Sequence, residues 1–458
     1  MKIAEAGPED LDNSIGTARH AFDTGPWPRL THLERAEYLR AFADGLAARS
    51  HDLAQIWPRQ SGVLHSIARH AGEGAAGLFR FYAELASSFE FEQQIPPTAG
   101  GAFGLLVREP VGVVGAIVPW NAPLVLTSVK IAPALLAGCT VILKLSPEAP
   151  GEGYVIAEVA EQIGLPPGVL NVVTADRETS ELLVRDPRVD KITFTGSTQA
   201  GKRIASICGG RVARFTLELG GKSAAIVLDD MDLSDVARIL TESECMLSGQ
   251  VCASLTRVIV SRHRHDDLAH ELAERFSAIQ VGDPFDSASE MGPLATERQR
   301  ARVENYIARG IADGATLLAG GGRPQQVDRG WYIEPTIFGD VDNSTTIAQE
   351  EIFGPVLSII PADDEKHAVH IANDSAYGLN ASVFTNDADR VLSIAREIRS
   401  GTVGHNAVRG DFGVAAGGYK QSGIGREGGR EGLLPFLETK YVVLEATPRG
   451  AADPAVGA

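Results

Sequence analysis

The chain has 458 residues, about three domains at roughly 150 residues each, which excludes a single small binding module. Hydrophobic residues make up 44% and charged residues 22%, the usage of a globular protein with a sizeable core. Lys plus Arg number 42 against 59 Asp plus Glu, a net charge of −17, and this excess argues against nucleic acid or an anionic membrane surface as partner. At the N-terminus, MKIAEAGPED has no basic segment followed by an apolar one, so no secretory signal is expected. Thr31-His-Leu-Glu34 is a capping box, and Leu39, Phe42 and Leu46 follow it at helical spacing, which predicts a helical first part. After a Pro/Gly-rich stretch from Ile95 to Gly104 come short β-rich runs at Val111–Val118, Thr140–Leu143, Val169–Val173, Ile192–Thr195 and Ala224–Leu228. Helical segments with breakers such as Pro147, Pro150 and Pro166-Pro167 separate them. Strands alternating with helices predict an α/β fold with parallel sheets and right-handed crossovers. The longest nearly apolar stretch, Ile131 to Leu143, falls short of the ~18 residues of a membrane span. A second α/β block is predicted from about Gly221, with apolar runs at Arg257–Val260 and Val356–Ile360 and a Gly-rich loop at Leu318–Gly322, and a frayed tail is expected from Pro448 to Ala458. The four cysteines make no CxxC pair, which predicts no disulfide framework and a reducing, cytoplasmic setting.

Three pattern matches carry less than their residues suggest. Gly423-Ile-Gly425-Arg-Glu-Gly428 fits GxGxxG, but it follows Tyr-Lys-Gln-Ser instead of an apolar strand, so a plain glycine loop is expected. Gly196-Ser-Thr-Gln-Ala-Gly201-Lys202 resembles a phosphate loop, yet Arg203 stands where Ser or Thr would bind magnesium. A glycine turn at a helix N-terminus remains, able to hold a pyrophosphate without hydrolysing it. His263, His265 and His270, and likewise His367 and His370, have charged neighbours and no cysteine, so solvated faces are expected and no metal site is assigned.

Two motifs place reactive residues among glycines. In Leu217-Glu218-Leu219-Gly220-Gly221-Lys222, a carboxylate between two leucines is partly desolvated, which raises its pKa toward that of a general base. In Ser248-Gly249-Gln250-Val251-Cys252, a thiol after a glycine turn is a candidate nucleophile, whereas Cys139, Cys208 and Cys245 fit small core residues.

With EPVGVVGAIVPWNAP (Glu109–Pro123), ITFTGST (Ile192–Thr198), EEIFGPV (Glu350–Val356), YGLNASVF (Tyr377–Phe384) and GGYKQSGIGRE (Gly417–Glu427), these motifs make the sequence resemble the NAD(P)-dependent aldehyde dehydrogenase superfamily, from about Ala21 to Tyr441. The resemblance implies that Cys252 attacks the aldehyde carbon, that the Asn121 amide and the Cys252 N–H hold the oxyanion, and that Glu218 activates the water that hydrolyses the thioester. Lys130 resembles a lysine supporting the site, an exposed helix lysine being the alternative. For the cofactor, NAD or NADP with NAD favoured, the resemblance points to Val118, Pro119, Trp120, Lys144, Ser146, Pro147, Gly196, Ser197, Glu218, Leu219, Gly220, Glu351 and Phe353. Trp120 also suits a core anchor. An aldehyde tunnel is implied along Ala122, Val125, Leu126 and Val129 with Met246, Val251, Ala253 and Ala416; its small apolar residues favour a medium or large apolar or aromatic aldehyde.

Departures from the family pattern include Pro147 where many members have glutamate, with Glu148 one residue later, and Leu247 where asparagine is common. Gln199 replaces a glutamate, and Ala415-Ala416 replaces Pro-Phe. Alternatives are a semialdehyde dehydrogenase whose carboxylated substrate pairs with Arg409, an acylating enzyme that passes the thioester to coenzyme A, and a non-catalytic homologue. The presence of Glu218 argues against the acylating branch. The implied architecture is a Rossmann-like cofactor-binding domain (1–90 and 109–220), an α/β catalytic domain (221–436), and a small β oligomerisation arm (91–108 and 437–450), with 451–458 as tail. The arm predicts a homodimer or homotetramer. The early strands that precede this point in relatives are expected to be missing.

Overall fold

The computed structural model describes residues 3–449; the expected tail at 451–458 lies outside them. Five helices come first: α1 (Pro8–Asp23), α2 (His32–Ala48), α3 (Ser50–Ser61), α4 (His65–Ala68) and α5 (Ala71–Leu85). The capping box starts α2, with Glu34 N–H donating to Thr31 Oγ1 at 3.2 Å and Thr31 N–H to Glu34 Oε2 at 2.7 Å. Leu39, Phe42 and Leu46 form one buried stripe in the core that α2 shares with α5, where Phe42 stacks on Phe79. Among the described residues no strand precedes Glu92.

A hairpin of β1 (Glu92–Gln94) and β2 (Phe103–Pro110) leads into a parallel alternation. It runs β3 (Val113–Ile117), α6 (Pro123–Ala137), β4 (Thr140–Leu145), α7 (Gly151–Gln162), β5 (Leu170–Thr174), α8 (Arg177–Arg185), β6 (Lys191–Thr195), α9 (Thr198–Gly210) and β7 (Arg214–Glu218). These strands lie in the order β7-β6-β3-β4-β5. The chain winds outward from β3 in one direction, then returns and winds in the other, which opens a crevice between the C-terminal ends of β3 and β6.

The next alternation is β8 (Ala224–Val227), α10 (Leu233–Cys245), β9 (Arg257–Ser261), α11 (His265–Ala278), α12 (Glu297–Ala312), β10 (Thr316–Ala319), β11 (Thr336–Gly339), α13 (Thr346–Gln349), β12 (Val356–Ala362), α14 (Glu365–Asn373), β13 (Asn380–Phe384), α15 (Ala388–Glu397) and β14 (Thr402–His405). Its seven strands order as β10-β11-β12-β9-β8-β13-β14, parallel except for β10. Separate apolar clusters cover its two faces, as near-continuous apolar strands demand. The chain closes with β15 (Gly423–Ile424), α16 (Gly429–Leu433) and β16 (Leu437–Leu444).

One expected boundary is corrected. The second block does not run unbroken to 436, because β15 pairs antiparallel with β7 of the first sheet and Leu433 and Phe436 are buried in the core of the first block. β16 pairs with β2 along its whole length, from Leu437 opposite Pro110 to Leu444 opposite Phe103, so the arm expected from sequence is a three-stranded β1-β2-β16 sheet. Among the described residues no helix is long and apolar enough to cross a membrane.

Candidate active site

The candidate nucleophile and base reach one place because three glycines allow close approach. Glu218 ends β7, and the chain then turns through Gly220 and Gly221. A Cβ on Gly220 would stand 2.5 Å from the Glu351 carboxylate, and one on Gly221 2.2 Å from the Cys252 carbonyl. Cys252 follows an unusual turn in which Leu247, Ser248 and Gly249 are all left-handed, with φ of 51, 53 and 69°. Gly249 packs directly on the Gly354 backbone. Ser248 Oγ donates to the Gly292 carbonyl at 2.8 Å, and Gln250 Nε2 to the Leu247 carbonyl at 2.9 Å, so the turn is fastened from both sides. Asparagine tolerates this conformation, whereas a leucine costs about 1–2 kcal/mol there. Leu247 recovers stability by packing against Val63 and Ala68.

Asn121 aims its amide at the same spot. Its Nδ2 donates to the Gln250 carbonyl at 2.9 Å, two residues before the thiol, which leaves the second amide hydrogen available. The Cys252 thiol is pushed up to about 12 by burial and by the Glu351 and Glu218 carboxylates. Burial, with the like charge of Glu427, holds the Glu218 carboxyl well above the usual carboxylate range, as its position between leucines predicted. Its Oε1 is buried without a partner. The loop that the GxGxxG pattern marked covers this carboxylate: Gly423 lies opposite Glu218, and the Leu219 N–H donates to the Ser422 carbonyl at 2.9 Å.

Behind it lies a residue that sequence reasoning missed. Glu427 is buried, pairs with the Lys130 ammonium, and accepts from Thr193 Oγ1 at 3.1 Å. Lys130 is therefore no exposed helix lysine; it is 1% exposed. The only signal for Glu427 was its place at the end of the GGYKQSGIGRE motif.

The residues expected at the cofactor gather on the C-terminal side of the first sheet. Val118, Pro119 and Trp120 follow β3; Lys144 lies in β4, with Ser146 and Pro147 just beyond it; Gly196 and Ser197 follow β6; Glu218 ends β7, with Leu219 and Gly220 just beyond it. Ser197 caps α9, its Oγ accepting from Ala200 N–H at 3.3 Å, so the near-miss phosphate loop is a strand, turn and helix N-terminus. Burial lowers Lys144 to about 8. Glu351 accepts from Gly221 N–H at 3.1 Å, and Phe353 meets Trp120 edge-on at 5.5 Å. This arrangement fits a dinucleotide. It combines a helix N-terminus with a crevice at a topological switch point, and glycines admit a carboxylate beside the crevice. Glu148 also reaches the region, accepting from Ser146 Oγ and from Arg298 at 2.8 Å.

Beside Asn121 opens a largely apolar cavity of about 480 Å³, with Trp57, Ile67, Leu78, Phe81, Ala122 and Val125 in its wall. Of the expected tunnel residues only Ala122 and Val125 line it. Met246 and Val251 are half-buried and pack against the cluster of Val63, Ala68 and Leu247. Leu126 turns toward the core and Val129 is buried deeper along α6. Ala253 lies just past Cys252, and Ala416 is tied by its backbone to Glu427. Arg409 does not reach this wall; Asp411 and His70 do. The wall contributed by α3 and α5 was not found from sequence, because its residues carry no motif.

Comparison with known proteins agrees with this geometry. A family model described as "Aldehyde dehydrogenase family" matches residues 1–442, beginning ahead of the Ala21 at which the motifs start. The chain is 45% identical over 443 residues to geranial dehydrogenase of Castellaniella defragrans, covering 96% of this chain and 92% of that protein. It is 40% identical to 3-succinoylsemialdehyde-pyridine dehydrogenase of a Pseudomonas species, with 95% and 90% covered. Among solved structures, a Mycobacterium tuberculosis aldehyde dehydrogenase complexed with NAD+ superposes with a TM-score of 0.94 at 44% identity, covering 98% of this chain and 92% of that one. Betaine aldehyde dehydrogenase from Staphylococcus aureus in complex with NAD+ gives 0.95 at 34%, with 97% and 89% covered.

Proposed function

The chain belongs to the aldehyde dehydrogenase family and is an NAD(P)-dependent aldehyde oxidoreductase, and from that premise we propose that it oxidises medium to large apolar aldehydes to carboxylic acids through a Cys252 thioester. The observation that carries the substrate reading is the cavity beside Asn121, apolar apart from His70 and Asp411. The name of the geranial relative supports the same class. Asp411 in the wall, with Arg409 outside it, disfavours a carboxylated semialdehyde.

In this reading the Cys252 thiol gives up its proton to water as its sulfur attacks the carbonyl carbon, and the growing negative charge on oxygen meets the free Asn121 amide hydrogen and the Cys252 N–H. When bound, NAD(P)+ supplies the hydride acceptor that leaves an acyl group on sulfur. Glu218 then takes a proton from the water that attacks this thioester, which releases the acid and restores the thiol. Lys144, the α9 N-terminus with Ser197, and Glu351 with Phe353 would hold the dinucleotide. Glu148 stands by Ser146 with its negative charge and supports NAD over NADP, since it would repel a 2′-phosphate. The domain division remains the one expected from sequence, with 423–436 reassigned to the cofactor side. The β16 edge, with Tyr441 and Val443 exposed, supports assembly into dimers or tetramers. The four free thiols support a reducing compartment.

The test is a panel of linear, branched, aromatic and carboxylated aldehydes with NAD and with NADP, followed by reduced nicotinamide. The reading expects the highest kcat/KM for a branched or long apolar aldehyde with NAD; a maximum for betaine aldehyde or a semialdehyde contradicts it.

A further inference from the structure

The turn that carries Asn121 has little support of its own. It connects β3 to α6, and the residue at the N-cap of α6, Ala122, offers no side-chain cap. Three side chains from elsewhere hold its backbone instead. Trp57 Nε1 donates to the Asn121 carbonyl at 2.8 Å, and Ser61 Oγ to the Trp120 carbonyl at 2.6 Å. From the other side, Glu152 Oε2 accepts from the Leu124 N–H at 3.1 Å. Trp57 and Ser61 are four residues apart on α3 and so share a face. Glu152 is in the first turn of α7. The two helices are themselves joined, because Gly151 N–H donates to Gln60 Oε1 at 3.1 Å and Arg49 pairs with Glu158 at 2.7 Å.

Glu152 is the unexpected member. It is 0% exposed, and its second oxygen, Oε1, is buried with no partner. A buried carboxyl is costly unless its hydrogen bonds recompense it, and the one bond that Glu152 makes is to the first turn of the helix behind Asn121. There the unpaired N–H groups and the helix dipole favour an acceptor. Trp57 has a second role, since its ring also lines the 480 Å³ cavity.

We propose that Glu152, Trp57 and Ser61 are positioning residues for the oxyanion donor: a clamp from α3 and α7 that fixes the Asn121 amide over Cys252, with Trp57 joining the clamp to the substrate cavity. The clamp acts only through Asn121 and rests on the reading of that residue given above. Burial pushes Glu152 up to about 8, so at neutral pH it is largely a neutral acid, and glutamine can offer the same acceptor oxygen to Leu124.

The experiment compares Trp57→Phe, Glu152→Leu, Glu152→Gln and Asn121→Ala, and adds Glu152→Leu in the Asn121→Ala background. Trp57→Phe keeps an aromatic ring in the cavity and deletes only the donor, so it remains informative if Glu152→Leu does not fold. A misplaced catalytic group costs up to about a hundred-fold, so Trp57→Phe and Glu152→Leu are expected to lower kcat by at least about five-fold with KM for the aldehyde changed less than kcat. Glu152→Gln is expected to restore most of what Glu152→Leu loses. In the Asn121→Ala background Glu152→Leu should cost little more, because two residues that act through one donor are not additive. Losses that are smaller, that fall on KM, or that add fully to Asn121→Ala overturn the clamp while leaving the oxyanion reading intact. Normal kcat in Asn121→Ala itself overturns both.

Discussion

Cys252 and Glu218 are held in surroundings that oppose the ionised forms the proposed mechanism needs. Burial and neighbouring carboxylates keep the thiol protonated, and burial with Glu427 keeps Glu218 from ionising at the usual pH. In the proposed mechanism, hydrolysis of the thioester needs Glu218 deprotonated, so its rate should climb with pH above the ordinary carboxylate range and then level; a profile flat from pH 5 to 9 in single-turnover hydrolysis would count against Glu218 as base. Removing one oxyanion donor costs about 10²–10³ in rate, and Asn121→Ala should show that loss in kcat, as measured with a saturating apolar aldehyde. Glu152 gives a stability test with a definite sign. Its folded pKa is raised from 4.5 to about 8, so the native state holds a proton that the unfolded chain releases, and stability is lost as pH rises between those values. Thermal melts should therefore show Glu152→Gln gaining on the native protein from pH 5 to pH 9; a constant difference would place the carboxyl in water. The candidate residues Cys252, Glu218 and Asn121 were legible in sequence because each stands in a short motif. Glu152 and Trp57 were not, since each acts on a backbone group far along the chain.

Helix α5 presents two faces. Phe79, Tyr82 and Ala83 are buried in the core, while Ala71, Gly74, Leu78 and Phe81 recur at helical spacing along the cavity wall. Three glycines interrupt this helix. Gly72 is required, since a Cβ there would meet Ser50 at 2.3 Å, but Gly74 and Gly77 face open space. Glycine costs a helix interior roughly 0.5–1 kcal/mol relative to alanine, so Gly74→Ala and Gly77→Ala should each raise the melting temperature. Leucine at position 74 would take up cavity space. It should lower kcat/KM for a branched ten-carbon aldehyde relative to propanal by about ten-fold, the scale of a methylene misfit in an apolar pocket; an unchanged ratio would remove α5 from the specificity wall. The sequence AGEGAAGLF conceals this face because glycine and alanine give almost no periodic signal. By contrast, β3, β4, β5, β6, β8, β9 and β12 announced themselves as short apolar β-rich runs, whereas β7, β10, β11, β13 and β14 did not, and β6 with α9 was visible as strand, glycine turn and helix. The two-residue β15 was too short to show.

At the scale of the whole molecule, two parallel sheets meet so that strand ends and turns from both converge on Cys252. The last stretch of chain returns to the first sheet, and only this return brings Glu427 and the glycine loop over Glu218. The third sheet stands apart, with Tyr441 and Val443 exposed on β16. Glutamate at both positions should shift the protein toward monomer in sedimentation velocity, and an unchanged distribution would place the interface elsewhere. Alternation of strands and helices predicted the sheets, but the return of 423–436 depends on a pairing across two hundred residues that no local pattern records. The most direct test of the central claim is intact-mass analysis of Glu218→Gln mixed with NAD+ and an apolar branched aldehyde. The account predicts one burst of reduced cofactor per active site and an acyl adduct that maps to Cys252 and persists; full turnover without an adduct, or an adduct on another residue, would contradict it.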